Sequence, residues 1–296
     1  MENYRYLIKC IYGGIVWAVM LVWVVVAQAD VYWAQESKIY HLTQDDKNAQ
    51  LAMSFPGVFI ESFIADEENQ KFIISTDAAI YVVDMVGQEL AKVVFQAPRI
   101  TAMTVDPEHQ LIYVCAKSAQ HTTEYRLYRF AYDGGEPEVL GDEYFLNGHP
   151  LIFHSPVTKL QYNAENGHLW FADSSMGTLL TRVKVSPQLN DTGIFNVITV
   201  VDTRDFQVLD FDIDTQNGVI FMLTDRGIKS CYVDGSRLEN FAPGAYGSIG
   251  ADSKRRVVYA NNLQTGLVEA IDYRGWMEEM SSFQVSPFGV TAIHAD

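Results

Sequence analysis

Cysteine is scarce in this chain, which has only three in 296 residues. Cys10 lies in an apolar N-terminal segment, which leaves Cys115 and Cys231 in the rest of the chain. Both lie within predicted strands of repeats that are not neighbours. An oxidising compartment would permit a disulfide. We predict two buried thiols instead, because a buried cysteine behaves as a small hydrophobic residue.

Basic residues are also few. The chain has 21 Lys and Arg against 37 Asp and Glu, and its formal net charge is −16. So strongly acidic a surface repels phosphate backbones and anionic lipid head groups. The composition therefore argues against nucleic acid as a partner and against stable association with a membrane surface.

Motifs that carry catalysis or metal binding are missing as well. The seven His include no HExxH pair, and His149 and His154 stand in one loop without the spacing of metal ligands. Ser248 is preceded two positions earlier by Tyr246 rather than by glycine, so the nucleophile elbow is absent. The sequence has neither a P-loop nor a dinucleotide fingerprint. We predict a protein that is not an enzyme, with no cofactor and no metal.

The first 29 residues differ from the rest. Two basic residues precede the apolar run 11–26, and Ala27-Gln28-Ala29 follows it. This pattern predicts a signal peptide over residues 1–29, removed before Asp30, and a secreted, extracellular product. An uncleaved anchor is the alternative, because the run approaches the length of a membrane span.

The remainder, residues 30–296, is built from repeats. Residues 100–140 contain four apolar runs separated by turns, as in four antiparallel strands. About forty residues with four strands is the size of one propeller blade. Six copies of the first strand can be aligned on the Asp or Asn at its end, with a large apolar residue three positions earlier. The six anchors are Asp66, Asp106, Asn163, Asp214, Asp252 and Asp296.

The sixth repeat is divided between the two ends of the domain. The second strand that should follow Asp296 is found instead at Val31-Tyr32-Trp33-Ala34. We therefore predict an all-β fold, a six-bladed β-propeller of four-stranded antiparallel blades. Its ring closes by pairing of the N-terminal and C-terminal strands, which removes open sheet edges.

Two segments interrupt the repeat: 141–155 and 186–205. Unstructured loops of this length in a compact domain are more often functional or disordered than neutral. The second contains the sequon Asn190-Asp191-Thr192, a predicted glycosylation site in a secreted glycoprotein.

Leu169-Trp170-Phe171-Ala172-Asp173 resembles the repeat signature of YWTD propellers, the LDL-receptor class B type. Asp234-Gly235-Ser236 matches a later turn of those repeats. The resemblance covers residues 30–296 and implies the six-bladed fold. The signature Asp is kept only at Asp173, and EGF-like modules are absent, so the receptor role is not implied. A secreted propeller of this length also resembles the insect ommochrome-binding proteins, which carry a pigment in haemolymph. That likeness implies a carrier of a small aromatic ligand, but it assigns no residues.

Candidate ligand residues follow from the register alone. Propellers commonly bind ligands at the mouth of the central channel, near the start of each inner strand. Aromatic rings there could stack on a flat ligand, and cations could pair with its carboxylates. The predicted ligand-binding residues are Phe59, Glu61, Arg99, Thr101, Thr158, Lys159, Phe206, Tyr246, Phe288 and Thr291.

Two other functions are compatible with the same fold. One is an extracellular protein-protein interaction module, which predicts an exposed patch on one propeller face and no deep pocket. The other is a calcium-dependent hydrolase of the lactonase type, which needs several oxygen ligands around Ca²⁺. The predicted ring of mouth residues offers one Glu among threonines, so the hydrolase is the weakest of the three.

Overall fold

The computed structural model describes residues 31–42, 50–86, 91–121, 123–141, 151–173, 179–189, 191, 194–203, 205–274, 280–283 and 292–295. Its regular structure is β throughout, in six four-stranded antiparallel sheets. The predicted signal peptide lies outside these residues. Within them, no helix is long and apolar enough to cross a membrane.

Each sheet is one blade, numbered in chain order. Blade 1 contains β4 (Ser62–Asp66), β5 (Lys71–Ser75), β6 (Ala79–Asp84) and β7 (Lys92–Gln96). Blade 2 contains β8 (Ile100–Asp106), β9 (Leu111–Lys117), β10 (Tyr125–Ala131) and β11 (Gly134–Val139). Blade 3 contains β12 (Val157–Asn163), β13 (His168–Asp173), β14 (Leu179–Val185) and β15 (Ile194–Asp202). Blade 4 contains β16 (Val208–Asp214), β17 (Val219–Thr224), β18 (Gly227–Tyr232) and β19 (Glu239–Pro243).

Blade 5 contains β20 (Tyr246–Asp252), β21 (Val257–Asn262), β22 (Leu267–Asp272) and β23 (Met280–Phe283). Blade 6 is assembled from both ends of the domain as β24 (Ala292–Ala295), β1 (Val31–Gln35), β2 (Lys38–Leu42) and β3 (Gln50–Ser54). Tyr32 pairs with His294, and Ala34 pairs with Ala292. Because the six innermost strands contact one another in a closed circle, both the six-bladed propeller and its closure by terminal strands are confirmed.

The second strand of a blade is the most apolar because it packs between two neighbouring blades. All six residues of β17 are buried, whereas the outer strand β19 is largely exposed. Strands covered on both faces lose the alternation of polar and apolar residues. Cys115 and Cys231 are both buried and are not joined in a disulfide, which confirms that prediction.

The anchor carboxylates shape the tight turn that ends each inner strand. Asp66 accepts hydrogen bonds from the backbone and side-chain nitrogens of Asn69, at 3.1 and 2.9 Å. Asp214 does the same with Asn217, at 2.9 and 2.6 Å. A side chain that binds the backbone a few residues later stabilises a turn, which explains why Asp or Asn recurs here.

The same carboxylates also join neighbouring blades. Tyr132, which follows β10 in blade 2, donates its hydroxyl to Asp66 Oδ2 of blade 1 at 2.7 Å. Tyr273, which follows β22 in blade 5, donates to Asp214 Oδ2 of blade 4. Burial is the larger cause and the adjacent carboxylate the smaller cause of the raised pKa of both tyrosines. The hydroxyls therefore stay protonated, and each Asp–Tyr pair fixes one blade against the next.

The segment 186–205, predicted to be a long loop, is mostly strand, since β15 occupies Ile194–Asp202. The turn before β15 is held by Arg129 of blade 2, whose side chain is fully buried. Arg129 Nη2 lies 2.5 Å from Glu138 Oε2 and donates to the carbonyls of Gln188 and Asp191, at 2.8 and 3.1 Å. The prediction missed this contact because its two sides are far apart in the chain.

Candidate functional site

The mouth face is the end of the ring where the inner strands begin, and the turn face is the opposite end. The inner strands of blades 2 to 5 each carry a β-bulge at the mouth. In blade 4, for example, the register shifts between Val208 and Asp210, so Leu209 stands unpaired. Bulges redirect side chains and are common beside binding sites.

Eight of the ten predicted mouth residues are described, and all lie within three residues of the start of an inner strand. Glu61 and Thr158 are exposed, and Thr101 is half-buried. Phe59 is 59% exposed. Phe206 is half-buried and packs against the core. Phe288, Thr291 and the predicted glycosylation site Asn190 lie outside the described residues.

Tyr246 is not at the surface, contrary to the prediction that it stacks on a ligand. The side chain is 4% exposed and belongs to the core between blades 4 and 5. Its hydroxyl lies 3.2 Å from Glu269 Oε2. Burial and then Glu269 raise the pKa of Tyr246 to about 12. Its equivalents Ile60 and Val208 are also buried, so the repeat pattern itself pointed to the core.

The predicted cations are already beside carboxylates. Lys159 Nζ lies 3.0 Å from Asp210 Oδ1, and its side chain is 32% exposed. Burial alone lowers the pKa of Lys159, but Asp210 and Asp212 outweigh it and raise the pKa. At the opposite side of the mouth, burial and Asp77 raise the pKa of Glu61, and Arg99 lowers it. A ligand carboxylate at Lys159 would have to compete with Asp210.

Asp210 and Asp212 bind the inner strand of the next blade. Asp210 Oδ2 accepts from the amide of Ile249 at 3.1 Å, and Asp212 Oδ2 accepts from the amide of Ala251 at 2.7 Å. Gln161 donates to Asp212 Oδ1 at 2.6 Å. Asp210 therefore faces the neighbouring blade. These carboxylates satisfy edge amides of β20 that would otherwise lie open to the channel.

The described residues contain no group of three or more His, Cys, Asp or Glu arranged to hold a metal ion. The two carboxylates discussed above, Asp210 and Asp212, use their oxygens on backbone amides and on Lys159 and Gln161. These carboxylate oxygens are therefore already engaged by groups of the protein itself.

Exposed apolar side chains are the feature of the mouth that sequence reasoning partly missed. Leu209 of blade 4 is 43% exposed and Leu263 of blade 5 is 59% exposed, on the same face as Phe59, which precedes blade 1. Gly247 makes room for Leu263, since a Cβ at Gly247 would come within 2.9 Å of Leu263 Cδ2. The amide of Leu263 donates to the carbonyl of Ala245 at 2.9 Å, which ties the two mouth loops together. The sequence signal that could have revealed this exposed residue is the presence of a leucine within the otherwise polar turn 261–266.

Two clefts open on the turn face. One, of about 390 Å³, lies where blade 6 meets blade 1 and includes Tyr32, His41, Phe72 and Met85. Tyr32 and His41 stack with ring centroids 4.5 Å apart. The other, of about 370 Å³, lies on blade 5. Sequence reasoning assigned neither, and the first brings together residues that are distant in the chain.

Comparisons with known proteins were made on the sequence and on the structure. No protein-family model and no curated protein matches the sequence. A chain from the crystal structure of a nidogen/laminin complex is similar in structure, with 12% identity and a TM-score of 0.70, over 90% of this chain and 98% of that one. A putative TolB from Agrobacterium tumefaciens has 11% identity and a TM-score of 0.61, over 90% and 96%. At these identities, the likeness shows that this chain has the fold of a six-bladed β-propeller.

Proposed function

We propose that this protein is a secreted, non-enzymatic binding protein that recognises an extracellular protein with the mouth face of its propeller. The observation that carries the proposal is the set of exposed apolar side chains on that face: Phe59, Leu209 and Leu263. The three residues belong to blades 1, 4 and 5 and so lie around the mouth. Exposed apolar side chains on a face that also carries charges are typical of protein interaction sites.

The burial and pairing of the other mouth residues favour a flat interaction surface rather than an aromatic pocket. Tyr246 is buried, and Lys159 is paired with Asp210. The group formed by Glu61, Asp77 and Arg99 supplies charges of both signs at one edge of the face. Apolar contacts bordered by charges fit a protein better than a planar acid, because rim charges select the partner and its orientation.

The solved nidogen/laminin complex supports the same proposal at the level of analogy. That structure is of a complex between nidogen and laminin, and one of its chains shares the propeller fold. Fold alone does not decide function, so the proposal depends on the exposed side chains of this chain.

The test compares two matched pairs of substitutions. Phe59→Asp with Leu263→Asp alters the mouth face, and Leu51→Asp with Val86→Asp alters the turn face at residues 54% and 79% exposed. Wild-type and variant proteins are immobilised, incubated with extracellular fluid, and their bound proteins are quantified by mass spectrometry. We expect a specific partner that the mouth variant loses and the turn-face variant keeps. Loss by the turn-face variant alone would transfer the site to that face, and no specific partner would reject the proposal.

A small aromatic ligand, as the likeness to ommochrome-binding proteins implies, is the second candidate. What favours it is the cleft of about 390 Å³ with Tyr32, His41 and Phe72 in its lining, a size and character suited to small molecules. Titration with xanthommatin should quench tryptophan fluorescence, and His41→Ala should weaken the quenching while His109→Ala should not. Absence of quenching with the folded wild-type protein would remove this candidate.

A further inference from the structure

The turn face of blade 5 has a concentration of positive charge. The cleft of about 370 Å³ is lined by Lys254, Arg255, Arg256, Val257 and Arg274. Lys254, Arg255 and Arg256 are consecutive in the turn between β20 and β21, and Arg274 follows β22. Four cations at one cleft are unusual in a chain whose net charge is −16.

The fold itself does not require these cations. The turns of blades 1, 2 and 3 have glutamate at the position of Lys254; these residues are Glu68, Glu108 and Glu165. Arg256 has a φ of 57°, and glycine fills the same position in blades 3 and 4 as Gly167 and Gly218. Since glycine adopts this conformation at least cost, the backbone gives no reason for arginine.

Arg274 shows the same reversal of charge. It comes directly after Tyr273, the tyrosine that donates to Asp214. The equivalent tyrosine of blade 2, Tyr132, donates to Asp66 and is followed by Asp133. The position that is acidic in blade 2 is thus basic in blade 5, on the same side of the ring as the reversed turn.

Two of the four charges have no carboxylate partner in the described part of the chain. Arg255 Nη1 lies 2.9 Å from Asp252 Oδ2, and Arg274 Nε lies 2.8 Å from Asp272 Oδ2. Among the described residues, no carboxylate forms an ion pair with Lys254 or Arg256, and both are exposed. The distant acidic surface does not cancel this charge, because salt screens interactions beyond about 8 Å at physiological ionic strength.

We propose that this cleft binds a tetrahedral oxyanion group, the phosphate or sulfate ester of a small molecule or glycan. A guanidinium can donate two parallel hydrogen bonds to such a group, and a lysine ammonium adds a compact point charge. Arg256 and Lys254 would supply these contacts, while Arg255 and Arg274 form the walls through their pairs with Asp252 and Asp272. Because the cleft is on the turn face, the proposal is independent of the mouth face and of any protein bound there.

The test uses the whole secreted protein and two probes, a heparin-derived hexasaccharide and inorganic phosphate. Binding of each is measured by calorimetry at low salt. The variant Lys254→Gln with Arg256→Gln removes the two unpaired charges. A control, Lys184→Gln with Arg226→Gln, removes the same charge from exposed positions elsewhere. We expect the cleft variant to lose roughly tenfold or more in affinity, as for charged hydrogen bonds, and the control to change little.

The outcomes separate the sources of the group. Binding of the hexasaccharide but not of phosphate identifies a sulfated glycan, and binding of phosphate identifies a small phosphorylated ligand. The affinity for either probe should fall as the salt concentration rises. If the wild type binds neither probe, or if both variants weaken binding equally, the site is not where we place it.

Discussion

The two faces of the ring differ in how they follow the repeat. On the turn face, four anchors accept a hydrogen bond from the backbone amide three residues later: Asp66, Asp106, Asp214 and Asp252. Asp66 and Asp214 also bond a tyrosine of the next blade in the same way. On the mouth face, bulges displace residues such as Leu209 and Gly247, and the exposed side chains vary from blade to blade. Regular contacts connect the blades, and the irregular end leaves side chains available for a partner.

This difference indicates where substitution should affect folding and where it should affect only recognition. Blade 5 combines the two properties, because its turn keeps the Asp252 anchor while its neighbouring positions carry Lys254 and Arg256. The structural part of a repeat can therefore stay constant while adjacent positions change their chemistry.

The largest effect on stability is expected at Arg129. Arg129→Ala leaves Glu138 and the carbonyls of Gln188 and Asp191 without their buried donor. Loss of one member of a buried ion pair costs about 3 kcal/mol or more. Urea unfolding should show this loss, whereas the exposed control Arg226→Ala should change stability by less than about 0.5 kcal/mol. Equal effects would mean that Arg129 does not hold the two blades together.

A smaller effect is expected at an inter-blade pair. Asp214→Ala removes the acceptor for Tyr273 and Asn217, and should cost about 2 kcal/mol because buried donors lose their partner. Asp225→Ala, at an exposed carboxylate, is the control. Tyr273→Phe should lower the free energy of unfolding less in the Asp214→Ala background than in the wild type. Equal losses in the two backgrounds of this double-mutant cycle would contradict coupling between the blades.

The pair of Asp214 and Tyr273 should make the free energy of unfolding depend on pH. Burial raises the pKa of Asp214, but hydrogen bonds from Tyr273, Asn217 and Ser253 lower it below the ordinary value of 3.8. Its contribution is therefore present above pH 3.8 and is lost as pH falls through the lower pKa of the folded state. The difference in unfolding free energy between wild type and Asp214→Asn should shrink in that range. A difference that is constant down to pH 2.5 would exclude this origin.

The smallest effect on stability is expected on the mouth face. Phe59→Ser and Leu263→Ser remove side chains that are each 59% exposed. Such substitutions usually change stability by less than about 0.5 kcal/mol. Thermal unfolding should therefore be nearly unchanged, and a large drop in melting temperature would show that these residues support the ring rather than face a partner.

The sequence predicted the ring because its signals are local and repeated. Anchors such as Asp106 end a strand and shape the turn after it, so composition reveals them directly. The second strand around Trp170 is recognisable for a similar reason, since burial on both faces demands a continuous apolar run.

The site was harder to predict because its geometry depends on the backbone and on distant partners. A bulge changes the direction in which the Leu209 side chain points, but the local amino-acid composition does not reveal the bulge. Tyr246 was assigned to the mouth although its equivalents in the repeat are all apolar, and that alignment favoured burial. No local pattern reveals that Arg129 reaches residues of the following blade.

The pairing of β1 with β24 also constrains how the chain acquires its shape during synthesis. Val31 leaves the ribosome long before its partner Ala295, so the nascent chain must keep the free edge of β1 without an inner-strand partner while five blades form. Such edges recruit other strands. Final closure therefore joins the earliest and latest strands of the ring to be synthesised, and the edge of β1 stays open until β24 pairs with it.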